Sequence, residues 1–164
     1  MDAASFFQYP SGTDPDSGPP AVPHGAFQAG PTSFLADQGE ADWAQLLAQT
    51  TTVRFRAGDT VLVAGAEDRA FYLLVAGRVA VDGADGPPIE APAVLGDAAF
   101  FDGLPRAVAV TALGPGEAIR LSWQAFEALA VRHPRLAQAL LGDLGRIAAA
   151  RQRASAAQVG AFSG

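Results

Sequence analysis

The chain has 164 residues, 49% of them hydrophobic, which is enough for one sizeable core and one expected domain. Its eleven basic side chains, all arginine, stand against 17 acids and leave a net charge of -6, so a broad nucleic-acid surface and direct DNA binding are not expected. The absence of cysteine excludes disulfides, thiol nucleophiles and zinc-thiolate sites and fits a reducing cytoplasm, while no run approaches the roughly 20 apolar residues that span a bilayer.

Residues 1–31 are rich in Pro, Gly, Ser and Asp, as in Pro10-Ser11-Gly12-Thr13-Asp14-Pro15, and have little to bury. They read as a disordered tail, in which Phe6, Phe7 and Tyr9 could serve as apolar anchors in a partner's groove. The ordered domain is expected over 32–157, with a frayed end over 158–164. From Ser33 to Gln49 the apolar residues Phe34, Leu35, Trp43, Leu46 and Leu47 share one helical face, which predicts a helix packed as a lid or collar on the rest of the domain.

From Thr51 the texture changes to short apolar runs cut by glycines. Val53 and Phe55, Val61 and Val63, then 70–75 and 76–81, predict strands separated by turns at Gly58, Gly65 and Gly77. Asp82 to Pro92 carries two glycines and three prolines and reads as a surface loop. Two further strands are expected over 107–113 and 118–121, about the turn Gly114-Pro115-Gly116. Ser122 is placed to cap a helix through Trp123, Phe126 and Leu129. Pro134 opens a longer helix in which Leu136, Leu140, Leu141, Leu144 and Ile147 recur at helical spacing. Leu136 and Leu141 are assigned to the core of their own subunit; Leu144 and Ile147 are assigned to a short seam pairing two copies into a homodimer. Many short strands with flanking helices predict an antiparallel β-roll, jelly-roll-like, ending in a long helix.

The stretch between the two halves of the roll, Gly96-Asp97-Ala98-Ala99-Phe100-Phe101-Asp102-Gly103-Leu104-Pro105-Arg106-Ala107, joins a helical turn to an arginine. Backbone N–H groups opening a short helix favour an anion, and an arginine fork adds charge-assisted hydrogen bonds, so this arrangement can hold a phosphate. Asp97 would repel a phosphate and is better suited to a ribose hydroxyl.

With Gly96-Asp97-Ala98-Ala99 and Pro105-Arg106-Ala107 in this order after the turn glycines, the chain resembles the cyclic nucleotide-binding domain of Crp/Fnr-type regulators, cyclic-nucleotide-dependent kinases and gated channels. The resemblance covers about Phe34 to Arg153. It implies a cyclic-nucleotide ligand, cAMP by family frequency, held through the phosphate-binding cassette. Arg106 would then meet the cyclic phosphate, Asp97 the ribose, and Gly96, Ala98, Ala99 and Ala107 would serve through backbone. Two positions depart from the family pattern: Asp97 replaces the preferred glutamate, and Ala109 the frequent threonine or serine. The alternative role for Arg106 is structural, capping the cassette through Asp97 or a carbonyl.

An enzyme is not expected. The chain's only histidines, His24 and His133, fall outside the strands, so a cupin-type metal site has no ligands, and no Ser, His and Asp arrangement is visible. The helix-turn-helix domain that succeeds the long helix in Crp-like regulators has no room before Gly164. The expected function is therefore a non-catalytic regulatory module without a metal or other cofactor. It would signal through a protein partner at the N-terminal tail or final helix, or through a dimer. The alternative is a ligand-free adaptor that keeps the fold within a larger assembly.

Overall fold

The computed structural model describes residues 34–161. The expected tail with Phe6, Phe7 and Tyr9 lies outside the described residues, as do 162–164. Eight strands form two four-stranded sheets in which every pairing is antiparallel. One sheet has the order β1 (Thr51–Phe55), β8 (Gly116–Ser122), β3 (Ala70–Ala76), β6 (Ala93–Leu95). The other has β2 (Thr60–Leu62), β7 (Val110–Ala112), β4 (Arg78–Val81), β5 (Ile89–Glu90). This is the expected β-roll, and Gly58, Gly65 and Gly77 take the positive φ angles that its turns require. The short strand β5 falls within the stretch expected to be wholly loop; it pairs Arg78 with Glu90 and Val79 with Ile89, a tertiary partner that its two residues do not announce.

The period-two alternation of side chains splits the buried residues into two cores. Tyr72, Leu74, Val79, Val110 and Ala118 fill the space between the sheets. Phe71 and Leu73 from β3, with Ile119 and Leu121 from β8, face the other way into a core shared with the helices. Being central and covered on both faces, β3 reads as a continuous apolar run.

The N-terminal helix is shorter than its apolar pattern suggests: α1 spans Glu40–Leu47 only. Phe34 and Leu35 are buried as expected, but on a turn in which Leu35 adopts a left-handed conformation (φ 48°). That conformation costs an L-residue about 1–2 kcal/mol. It is held by the Leu35 amide, which donates to Asp143 Oδ2 at 2.6 Å. Gly39 then starts the helix, with its N–H donating to Asp42 at 3.4 Å. An apolar stripe records which residues face the core, and a turn can satisfy it as well as a helix.

Two helices close the domain, α3 (Trp123–Arg132), capped by Ser122 Oγ, which accepts from the Ala125 amide at 3.1 Å, and α4 (Pro134–Ala161). The last helix continues to Ala161, through part of the segment expected to fray. Leu136, Leu140, Leu144 and Ile147 of α4 are all buried in the helix-side core, whereas Leu141 is only partly covered. The assignment of Leu144 and Ile147 to a dimer seam is thereby corrected: both sit under their own subunit's roll. No helix among the described residues is long and apolar enough to cross a membrane.

Candidate functional site

Between β6 and β7 the chain makes one helical turn and an irregular return. Gly96 (φ 73°) leads into the cassette helix α2 (Asp97–Asp102), and Gly103 (φ 69°) ends it. Gly96 is required twice over, because its φ is left-handed and a Cβ there would collide with the Arg106 guanidinium. The Asp97, Ala98 and Ala99 amides precede the first intrahelical bond, which the Phe100 amide makes to Gly96 O at 3.4 Å.

The strand expected from Ala107 begins only at Val110, because the backbone of Arg106 is committed elsewhere. Its N–H donates to Ala66 O at 3.0 Å and its carbonyl accepts from the Gly65 amide at 2.7 Å. The loop between β2 and β3 thus braces the cassette.

Arg106 is 6% exposed. Its Nη2 donates to Ala70 O at 2.8 Å and to Asp68 Oδ2 at 3.2 Å, and its Nη1 donates to Gly96 O at 3.3 Å. Among the described residues its Nε–H has no protein acceptor. Asp68 also accepts from Arg120 Nη2 at 2.5 Å and from the Tyr72 hydroxyl at 2.8 Å. Burial pushes the Asp68 pKa up, but the bonds from Arg120 and Tyr72, with the charge of Arg120, outweigh it and hold the carboxyl below its ordinary value. Burial, then the Asp68 charge, pushes the Tyr72 hydroxyl above its own. A carboxyl lowered on folding contributes stability above its unfolded pKa. That contribution is lost as pH falls through the still lower folded value, so this cluster stays intact across neutral and mildly acid pH.

All six residues singled out in the sequence, Gly96, Asp97, Ala98, Ala99, Arg106 and Ala107, line one cavity of about 360 Å³. Val81, Ile89 and Val108 supply apolar wall. Asp97 is buried at the floor, where Oδ1 accepts from Arg151 Nη1 at 2.6 Å; Arg151 Nη2 also bonds Val94 O. Sequence reasoning missed Arg151 as a site residue, although it lies one turn after the buried Ile147 on the same helix face. It missed Asp68 as well, for which no local signal exists. The structural role considered for Arg106 holds for the carbonyls, with Asp68 as the acid in place of Asp97.

A short helix opening on a left-handed glycine, a buried arginine returning beneath it and a cavity between two sheets are now joined to a decisive match: the cyclic nucleotide-binding domain model covers residues 52–133. The chain belongs to this family. Among solved structures, this cyclic nucleotide-binding domain is similar to one from Methylobacillus flagellatus KT, with 22% identity, a TM-score of 0.69, and coverage of 77% of this chain and 75% of that one. The catabolite activator protein of Thermus thermophilus is 18% identical with a TM-score of 0.67, over 82% of this chain and 63% of that one. The regulatory domain of Toxoplasma gondii PKA, solved with cAMP, is 16% identical with a TM-score of 0.52, over 64% and 42%. At these identities the likeness is one of fold. No curated protein sequence matches the chain.

Proposed function

We propose that this cyclic nucleotide-binding domain is a regulatory module that binds a cyclic nucleotide, cAMP in the first instance, at the cassette. The observation that carries the reading is Arg106: a buried guanidinium on the wall of a nucleotide-sized cavity, with an Nε–H that has no acceptor among the described residues. The phosphate would accept from Arg106 and from the cassette amides of Ala98, Ala99 and Ala107, the ribose hydroxyl would donate to Asp97, and the apolar wall would take the base. The Toxoplasma relative was solved with cAMP, which makes that nucleotide the first to test. Calorimetry with cAMP, cGMP and cyclic di-GMP ranks the candidates directly. At about 100 times the dissociation constant, the bound nucleotide should add about 2.7 kcal/mol to stability, visible as a thermal shift. No heat and no shift with any of the three would remove the sensor reading. The signal would leave through a protein partner, and a cytoplasmic setting suits such a module.

Asp97 gives a second, independent measurement. With Arg151 holding Oδ1, Oδ2 is left for the ribose. Asp97→Ala should weaken nucleotide binding by about 1.5–3 kcal/mol, the range for a hydrogen bond to a charged group. Ligand-free stability should change by about 1 kcal/mol from the lost ion pair, because the Arg151 side chain is 44% exposed and can be hydrated once unpaired. Equal affinities for the two proteins would show that Asp97 does not touch the ribose.

A ligand-free adaptor is the second reading. What favours it is that Arg106 already has three internal acceptors and Asp97 already has Arg151.

A further inference from the structure

Arg69 lies in the same bracing loop and takes no part in lining the nucleotide pocket. Its Nε donates to Phe100 O at 3.0 Å and its Nη2 to Phe101 O at 3.2 Å, so one planar fork spans two successive carbonyls near the C-terminal end of α2. The guanidinium carbon also sits 3.7 Å from the centroid of the Trp123 ring. Its own carbonyl accepts from the Trp123 amide at 2.8 Å. Among the described residues Arg69 makes no ion pair, and its charge is met by a helix C-terminus and a π face. Trp123 is the first residue of α3, and its ring meets Phe100 of the cassette edge-on at 5.1 Å.

We propose that Arg69 is a positioning residue that ties the end of the cassette helix to Trp123, so that nucleotide bound at the cassette is sensed at the start of α3. The inference rests on the cassette being a nucleotide site. A ligand that engages Asp97 and the first-turn amides of α2 pulls on a helix of only six residues, which moves as a unit. The Arg69 fork holds two of its carbonyls and moves with them, and a planar group stacked on an indole cannot rotate without disturbing the ring. Trp123 and Phe126 share the helix-side core with Leu140 and Leu144, so the start of α3 is coupled to α4, whose Arg151 returns to Asp97. Cassette, α3 and α4 thus form a closed circuit of contacts, in which Arg69 adds a charged link to the direct Phe100–Trp123 contact.

The test uses the full chain labelled with 5-fluorotryptophan. Its two tryptophans give two fluorine resonances, assigned with Trp43→Phe, and calorimetry with cAMP and cGMP runs in parallel. On saturation the Trp123 resonance should move and the Trp43 resonance should stay. Arg69→Ala should weaken binding about tenfold, within the range usual for coupled sites, and clearly reduce the Trp123 response, leaving only what the direct Phe100 contact transmits. Arg69→Lys, which keeps the charge without the fork, should recover part of both, and it carries the comparison alone if the alanine variant does not fold. Saturable heat with a stationary Trp123 signal, or unchanged affinity in the Arg69 variants, overturns this inference and leaves the binding site standing. No heat with wild-type protein overturns the binding site, and the inference with it.

Discussion

Arg106→Leu should lose nucleotide affinity by a hundredfold or more and also destabilise the ligand-free domain by about 3–5 kcal/mol, the range for breaking a buried pair from one side. The first effect comes from the proposed contact, since the phosphate would face only backbone amides. The second comes from the bonds already in place. Leucine leaves Ala70 O without its side-chain donor, takes from Gly96 O one of its two donors, the Phe100 amide remaining, and takes from Asp68 one of its three partners. Because Arg120 and Tyr72 continue to satisfy Asp68, the lower end of that range is expected. Viewed as sequence alone, Arg106 promises little effect on the empty domain, because an empty anion site gains nothing from holding a charge. The structure reverses that expectation, since the charge is used internally before any ligand arrives. Urea unfolding and calorimetry separate the two effects. Lost stability with undiminished affinity would make Arg106 a structural pin alone, and unchanged stability would contradict its buried bonds to Ala70, Asp68 and Gly96. Arg106→Lys should fall between, keeping the charge but losing the geometry that reaches three acceptors at once.

Leu144→Glu should abolish cooperative folding at room temperature. Leu144 is fully buried (0% exposed) in the core between the roll and α4. Removing a leucine from such a position costs about 2–5 kcal/mol, and an unpaired carboxylate in its place adds several more. Together these reach the roughly 5–15 kcal/mol that holds a typical domain folded. Gln138→Glu, exposed on the same helix, should stay within about 0.5 kcal/mol of wild type and serves as the control. A variant at position 144 that melts like wild type but scatters light as a smaller species would restore the dimer seam. Loss of the transition places the residue in its own subunit's core.

The two substitutions mark how far the sequence could be read. The cassette was legible because its chemistry is local: a left-handed glycine, one helical turn and an arginine ten residues on are read off adjacent positions. Turn glycines, the Ser122 cap and the strand expected at 70–75, which the structure extends to Ala76, were legible for the same reason, each being a preference of a residue and its near neighbours. Residues 34–39 show the limit of periodicity, since Phe34 and Leu35 reach the core from a turn that mimics a helical stripe. The partners of the site residues were beyond reach. Asp68 lies 38 residues before Arg106, Arg151 lies 54 after Asp97, and Arg69 reaches Phe100 across 31. Which acid meets which arginine in a chain with 17 acids and eleven arginines is decided by how the strands cross, and no local preference encodes it. The same holds for the final helix. Its period dictates that Leu140, Leu144 and Ile147 share a face, but a subunit's own roll and a second copy would satisfy that face equally, and only the packing of α4 on this roll selects the first.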